Sequence, residues 1–423
     1  MITLILVLAL VTLYLYLEWS PTDVDQSILK HQVSAPPVRN PGESGVYRSL
    51  DTPHSTPLLR EILGKHYEQF TLEMLWEPES FQISEYHANG ELDGNFDFAM
   101  HVHKLGSALT KRNTTSVIVT LPAGIEALAM LFACGLYNIC ILYTEPEELE
   151  EAKSAFPLHD LVVDAPLATD DELVERPIAK PSSISFYSKQ RGLQKFLSPE
   201  VGLSIASQLR ALGHRMWNRN DKVLIFPTCQ HPYALLMQLT ALSAKAPLVF
   251  LEHSISDPFR ATEIVRPTVL VTDDIALESL RSQADELNTI KLLQFQLNKV
   301  RLSRGTISSP MLPQFRSLRL IHTVNLGGTS MRTEDANVIR ILTGSQVIHG
   351  FRTPKVLMPI FQTTYGDYRE CPKQYTLAGP PTPGIEIKVV GDAKKGRLFL
   401  KYDIDWIDTG VDVTMRPDGC AMV

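Results

Sequence analysis

The sequence lacks the marks of several common functions. It has five cysteines in 423 residues, Cys134, Cys140, Cys229, Cys371 and Cys420, with no Cys-x-x-Cys pair among them. An odd count without that spacing argues against dithiol redox and zinc-ribbon chemistry and fits reduced structural thiols in a cytosol-facing body. There is no Gly-x-Ser-x-Gly elbow to present a hydrolase nucleophile. Basic clustering is also missing. The chain carries 40 Lys+Arg against 47 Asp+Glu, a net charge of -7, so nucleic acid is not expected as a partner. Glu91, Asp97, His101 and His103 lie near one another in sequence but match no ligand spacing, and no metal is expected there. Neither a fixed-period repeat nor a low-complexity tract is present.

What is present begins with an apolar run from Ile2 to Leu17, with no Lys or Arg before it. It is slightly short for a spanning helix of about 17–25 residues. It lacks the basic start and small-residue cleavage site of a secretory signal, and it ends in the aromatic-rich Tyr14-Leu15-Tyr16-Leu17-Glu18-Trp19. A transmembrane anchor over residues 1–17 is the expectation. A cleaved signal and a hydrophobic helix packed on the body are the alternatives. Lys30, Arg39 and Arg48 follow the run, so the positive-inside rule places the body on the cytosolic side of a single-pass protein. Residues 18–60 contain Ala35-Pro36-Pro37 and Asn40-Pro41-Gly42 and read as a linker.

From 61 to 357, short β-branched runs alternate with helical patterns. Ser116–Leu121, Ile139–Tyr143 and Leu161–Val163 read as strands separated by helices. The pattern repeats with Val223–Phe226, Pro247–Leu251 and Thr268–Val271. Such alternation predicts parallel sheets covered on both faces. After 358, Ile385–Val390 and Arg397–Lys401 alternate strictly, as half-buried antiparallel strands do.

Several segments, in order, carry a resemblance. Pro227-Thr228-Cys229-Gln230-His231 is similar to a Pro-Leu-x-His segment, and Gly327-Gly328-Thr329 to Gly-Gly-Ala. Val347-Ile348-His349-Gly350-Phe351 stands where an Asn-Gly-Tyr-Gly turn is found. Gly379-Pro380-Pro381-Thr382-Pro383-Gly384-Ile385-Glu386-Ile387 is similar to Gly-x-Pro-x-Pro-Gly-Val-x-Val. Gly396-Arg397-Leu398 is similar to Gly-Glu-Leu, and Trp406-Ile407-Asp408-Thr409-Gly410 to Trp-x-x-Thr-Gly-Asp. Together these resemble the large domain of the adenylate-forming (AMP-binding) acyl-CoA synthetases. The resemblance implies an α/β fold of two doubly wound sheet subdomains over 61–357. A small C-terminal β-barrel over 358–423 would close it, behind the N-terminal anchor.

The family joins a carboxylate to ATP, and the positions that should serve this are altered. A Gly/Ser/Thr-rich loop should wrap the phosphates after Ile184–Tyr187. Here the segment reads Ser188-Lys189-Gln190-Arg191-Gly192-Leu193-Gln194-Lys195, keeping only Gly192 and Lys195. The Thr-Glu pair that supports Mg²⁺ falls on Pro354 and Lys355. The ribose-binding Asp after Thr409-Gly410 is Val411, with Asp412 one place later and so on the other face of a strand. The family's mobile C-terminal domain and its catalytic Lys have no counterpart up to Val423. The degenerate nucleotide positions are therefore Gly192, Lys195, Gly327, Gly328, Gly350, Thr409 and Asp412, and His231 is the acyl-pocket candidate.

No catalytic residue and no cofactor is expected on this reading. The chain is expected to be an inactive, membrane-anchored relative that binds or scaffolds, with a role in lipid metabolism at an endomembrane, the endoplasmic reticulum. Its expected partners are the membrane, a protein and an acyl lipid. The alternatives are a divergent ATP-dependent acid:CoA ligase using ATP and Mg²⁺, completed by its own residues or in trans, and a module that binds an acyl chain or acyl-CoA.

Overall fold

The computed structural model describes residues 21–35, 40–50, 71–87, 97–169, 172–178, 184–189, 217–226, 232–252, 257–285, 287–325, 331–353, 358–392, 394–401 and 405–423, with shorter pieces between and before them. The chain opens with two short strands, β1 (Val33–Ser34) and β2 (Tyr47–Ser49). An edge pair, β3 (Ile83–Tyr86) and β4 (Leu92–Asp93), and helix α1 (Phe98–Lys111) come next.

The first α/β unit is β5 (Ser116–Val119), α2 (Ile125–Leu136), β6 (Cys140–Tyr143), α3 (Leu149–Ala155) and β7 (Leu161–Val163). A hairpin of β8 (Ile184–Ser188) and β9 (Gly192–Phe196) completes it. The sheet order β9-β8-β6-β5-β7 reverses direction at β5, so α2 and α3 cover opposite faces. Strand alternation explains how the sequence supports this. Val117 and Val119 point into the core with α2, whereas Ile118 and Leu142 pack under Ala152 of α3.

The second unit runs β10 (Val223–Ile225), α4 (Pro232–Ser243), β11 (Leu248–Leu251), α5 (Pro258–Val265), β12 (Val269–Asp273), α6 (Asp274–Ser282) and α7 (Thr289–Ser303). It continues through β13 (Leu320–Val324), α8 (Thr333–Thr343), β14 (Gln346–Phe351) and β15 (Phe361–Gln362). The eight-stranded order is β15-β14-β13-β12-β10-β11-β3-β4, parallel except at its two edges. The two sheets are interleaved in sequence, because β3 precedes the first unit yet pairs with β11 of the second. They also share one core, in which Leu128 and Phe132 of α2 join Leu235 and Leu239 of α4.

The chain closes with β16 (Leu377–Gly379), β17 (Glu386–Gly391), β18 (Lys395–Lys401), β19 (Ile407–Met415) and β20 (Ala421–Met422). Ile387 pairs with Leu400 and Val389 with Leu398, and all four are buried. Two expectations are corrected here. The expected barrel is an open seven-stranded sheet in the order β1-β2-β17-β18-β19-β20-β16, whose outer strands do not pair with each other among the described residues.

The stretch expected as a linker supplies two of those strands. Ser44 and Val389 exchange hydrogen bonds of 2.8 and 2.9 Å. Glu43 pairs with Lys388 at 2.7 Å, and Arg48 with Glu386. Pro-rich composition signals irregular backbone but does not reveal that an exposed sheet edge waits to pair with it. Of residues 1–17, those described are Val7, Leu8, Val11, Thr12 and Leu15, all helical. No helix among the described residues is long and apolar enough to cross a membrane. The rest of the expected anchor lies outside the described residues.

Candidate functional site

Ligands of open α/β sheets gather at the carboxyl ends of the strands, where the sheet order reverses. In the eight-stranded sheet this is the end of β10, and beyond it in order lie the ends of β12, β13 and β14. Side chains from these strands point to two faces, one under α6 and α8 and the other under α4.

On the α6 face, Asp273 caps its helix by accepting from the Ala276 N–H at 2.7 Å. Asp274 turns back to the sheet. Its Oδ1 accepts from Thr323 Oγ1 at 2.7 Å and its Oδ2 from the Met331 N–H at 3.0 Å. His349 Nε2 stands 3.3 Å from the same Oδ2. Burial pushes the Asp274 carboxyl up, but the interaction with His349 and the surrounding donors outweighs it, leaving it below its ordinary value. A carboxylate held in this way is a pin between β12, β13 and β14 and a poor general base. Beside it a cavity of about 450 Å³ opens between α6 and α8, lined by Asp274, Leu277, Met331 and Ile339. Arg281 and Asp335 pair across its rim at 2.7 Å. At the strand ends, Arg352 N–H donates to Asn325 Oδ1 at 3.0 Å and Asn325 Nδ2 donates to the Arg352 carbonyl at 3.2 Å, tying β13 to β14.

On the α4 face the space is filled. Trp217, Tyr233 and His322 are 0%, 1% and 0% exposed. Trp217 Nε1 donates to His322 Nε2 at 3.1 Å, and His322 Nδ1 lies 3.3 Å from Tyr233 Oη. Burial, with a smaller effect of the Arg319 charge, pushes His322 down to about 3, so the ring is neutral. Accepting at Nε2 then leaves its proton on Nδ1, toward Tyr233. Burial, and secondly the negative charge of Asp274, raise Tyr233, which stays protonated. Gly350 faces the same space. A Cβ there would meet Pro359 Cγ at 3.1 Å and Tyr233 Cε2 at 3.4 Å. Helix α4 is buried continuously from Pro232 to Leu242.

The segment matched to the phosphate loop is a β-hairpin in the other α/β sheet. Ser188 pairs with Gly192 across the turn. Gly192 has φ +67, and nothing lies within 4 Å of an added Cβ. The glycine therefore serves the sign of the turn rather than close approach of a ligand. Lys189 is drawn to the acidic helix α3 side, with its N–H on Glu148 Oε1 at 2.9 Å and its Nζ 3.4 Å from Glu151. Lys195 sits on β9 opposite Ser185, and its side chain lies outside the described residues.

In the seven-stranded sheet, Thr409 Oγ1 donates to the Leu398 carbonyl at 2.9 Å and is buried. Asp412 is exposed, at 73% of its side chain, beside Arg397 at 4.0 Å. The described candidates Gly192, Gly350 and Thr409 thus lie in three different sheets. Gly327, Gly328, His231, Pro354 and Lys355 lie outside the described residues. His101 and His103 face separate partners, Glu126 at 3.0 Å and the Tyr137 hydroxyl at 3.2 Å. Sequence reasoning passed over Asp274, Asn325, Trp217 and His322. For Asp274 the signal was present, in two acids at the junction of a strand and a helix. For Trp217 and His322 there was none, because they are far apart in sequence.

No family model matches this sequence, and no curated protein matches it. Solved structures do. The structure of McyG A-PCP complexed with phenylalanyl-adenylate superposes with a TM-score of 0.65 at 13% identity, covering 84% of this chain and 75% of that one. A benzoate CoA ligase from Burkholderia xenovorans LB400 gives 0.58 at 14%, covering 84% and 79%. O-succinylbenzoate coenzyme A synthetase from Bacillus subtilis, in complex with ATP and magnesium, gives 0.60 at 15%, covering 83% and 78%. The chain has the adenylate-forming fold. At these identities the likeness concerns the fold alone. Within it, this chain has a hairpin at the segment matched to the phosphate loop, a filled space under α4 and an outward-turned Asp412.

Proposed function

We propose that this chain uses the adenylate-forming fold as a non-catalytic body that binds another protein at an endomembrane, the endoplasmic reticulum, held there by its N-terminal apolar run. The observation that carries the non-catalytic reading is the filling of the space between α4 and the sheet by Trp217, His322 and Tyr233. That is the side on which the resemblance places an acyl chain, so the filling also weighs against an acyl-binding module. The hairpin at Ser188–Gly192 adds to it, because N–H groups paired across the ladder are spent and a flat ladder does not turn the rest together onto a phosphate. Several superposed proteins are named as acyl-CoA or acid:CoA ligases, which is the basis for placing the partner in acyl-lipid metabolism.

The rival reading, a divergent ligase, rests on the extent of the fold, 84% of the chain. Titration of ATP and AMP with Mg²⁺ into the full chain, followed by calorimetry and thermal unfolding, separates the two. Millimolar nucleotide is expected to give neither heat nor stabilisation, where a ligand at ~100 Kd would add about 2.7 kcal/mol. Saturable micromolar binding, or ATP-dependent formation of a CoA thioester, would overturn the proposal.

A further inference from the structure

The segment read from sequence as a linker is fastened to the body at several points. The first is the foot of α7, the turn that follows Ser303. There Asp23 N–H donates to the Gly305 carbonyl at 2.9 Å, Thr306 Oγ1 donates to the Pro21 carbonyl at 2.8 Å, and the Ile307 N–H donates to Asp23 Oδ2 at 2.9 Å. The Tyr368 hydroxyl donates to the same Oδ2 at 2.6 Å, so one carboxylate oxygen ties the segment to two parts of the body.

Farther along, Arg369 Nη1 donates to the Leu29 carbonyl at 3.0 Å. The Gln32 amide is held from both ends, its Nε2 donating to Asp367 at 3.1 Å and its Oε1 accepting from Thr364 Oγ1 at 2.5 Å. Val24, Leu29 and Gln32 are 3%, 1% and 2% exposed. The body is shaped to receive the segment, since a Cβ at Gly366 would run into Val24 and one at Gly419 into Val33. Strands β1 and β2 complete the attachment at the edge of β17. A flexible linker keeps its backbone solvated and its side chains free. A terminal segment with buried side chains and paired backbone is tied down as part of the fold.

Pro21 is four residues beyond Leu17, the end of the apolar run. Four extended residues reach at most about 14 Å. As a free leash, residues 18–60 would reach about 140 Å. We infer that residues 21–35 and 40–49 form a clasp that holds the foot of α7 within about 14 Å of a lipid bilayer surface. This rests on the reading that residues 2–17 enter that bilayer. The part of the body presented to the headgroups is then the turn at Ser303, Arg304 and Thr306, chosen by where the clasp begins.

The test uses the full chain in phosphatidylcholine vesicles that carry an acceptor dye on some headgroups, with a coumarin-bearing amino acid in place of Ser303 as donor. Flotation reports the apolar run, and energy transfer reports how near the foot of α7 lies to the bilayer. About forty flexible Gly/Ser residues are inserted at one of two places. After Ser20 they give the link before the clasp a root-mean-square span of about 35 Å, and transfer should fall several-fold. Between Pro53 and His54 they lengthen only the path after the clasp, and transfer should stay at the parent's level. Flotation with weak transfer in the parent overturns the inference and leaves the anchor standing. So does transfer that survives the insertion after Ser20, or that falls equally with the other insertion. Failure to float overturns the anchor reading and the inference with it.

Discussion

Trp217 donates its indole N–H to Nε2 of His322 at 3.1 Å, with the two ring centroids 5.2 Å apart. The bond selects one neutral tautomer and joins the strand β13 to a residue 105 positions away in sequence. Because Tyr233 of α4 lies on the other ring nitrogen, the Trp217 N–H and both nitrogens of His322 find partners within this buried group. They fill the space between α4 and the sheet.

Stability should fall in mild acid because of His322. Its ordinary value of 6.5 is pushed down to about 3. The unfolded chain therefore takes up a proton below 6.5 that the folded chain refuses, and stability rises with pH across that window. Each pH unit below 6.5 should cost roughly 1 kcal/mol from this group. Urea unfolding at about pH 7.5 and about pH 5.5 should show the loss. His322→Asn should be less stable at the higher pH and show a shallower slope; an unchanged slope would count against the buried neutral ring.

Among the residues that hold the N-terminal segment to the body, Arg369 should be the most costly single truncation. Its Nε and Nη2 hold both oxygens of Asp367 at 2.8 and 2.6 Å, and its Nη1 reaches Asp418 at 2.5 Å and the Leu29 carbonyl at 3.0 Å. Burial raises Asp367, but the Arg369 hydrogen bonds and charge outweigh it and leave it below its ordinary 3.8. Its contribution is thus present above 3.8 and lost as pH falls below it. Arg369→Leu strands a buried carboxylate and should cost about 3–5 kcal/mol in chemical denaturation. Adding Asp367→Leu should recover part of that loss; strict additivity would contradict the pairing.

Thr409 and Asp412 should separate cleanly. Thr409→Val removes a buried bond to the Leu398 carbonyl and should lower stability by about 1 kcal/mol. Asp412→Ala acts on an exposed carboxylate and should stay within about 0.5 kcal/mol of the parent. A large effect at Asp412, or ATP binding that depends on it, would show that this strand is reshaped in solution.

Much of the fold was legible because buried parallel strands are written as unbroken apolar runs. Ser116–Val119, Leu248–Leu251 and Val269–Asp273 were each located within a residue or two from such runs. Membership of sheets was not legible. Nothing in Ile83–Tyr86 announces that it pairs with β11, some 165 residues later, nor in Tyr47–Ser49 that it pairs with β17. Such pairings depend on which backbone edges are left open once the helices have packed. The site divides in the same way. The loss of small residues around Gly192 could be read directly, while the hairpin that replaced the loop needed the register of Ser188 with Gly192.

The sequence by itself determined the local elements, the alternation of faces along each strand and the chemical poverty of the positions after Tyr187 and Gly410. These depend on residue type and spacing over a few neighbours. The tertiary structure decided which side of each strand met which helix. It filled the space under α4 with Trp217 and His322, and it fastened Asp23 to the foot of α7. Those outcomes arise from contacts between residues 105 or more positions apart, where packing and hydrogen-bond satisfaction, rather than local propensity, set the energy.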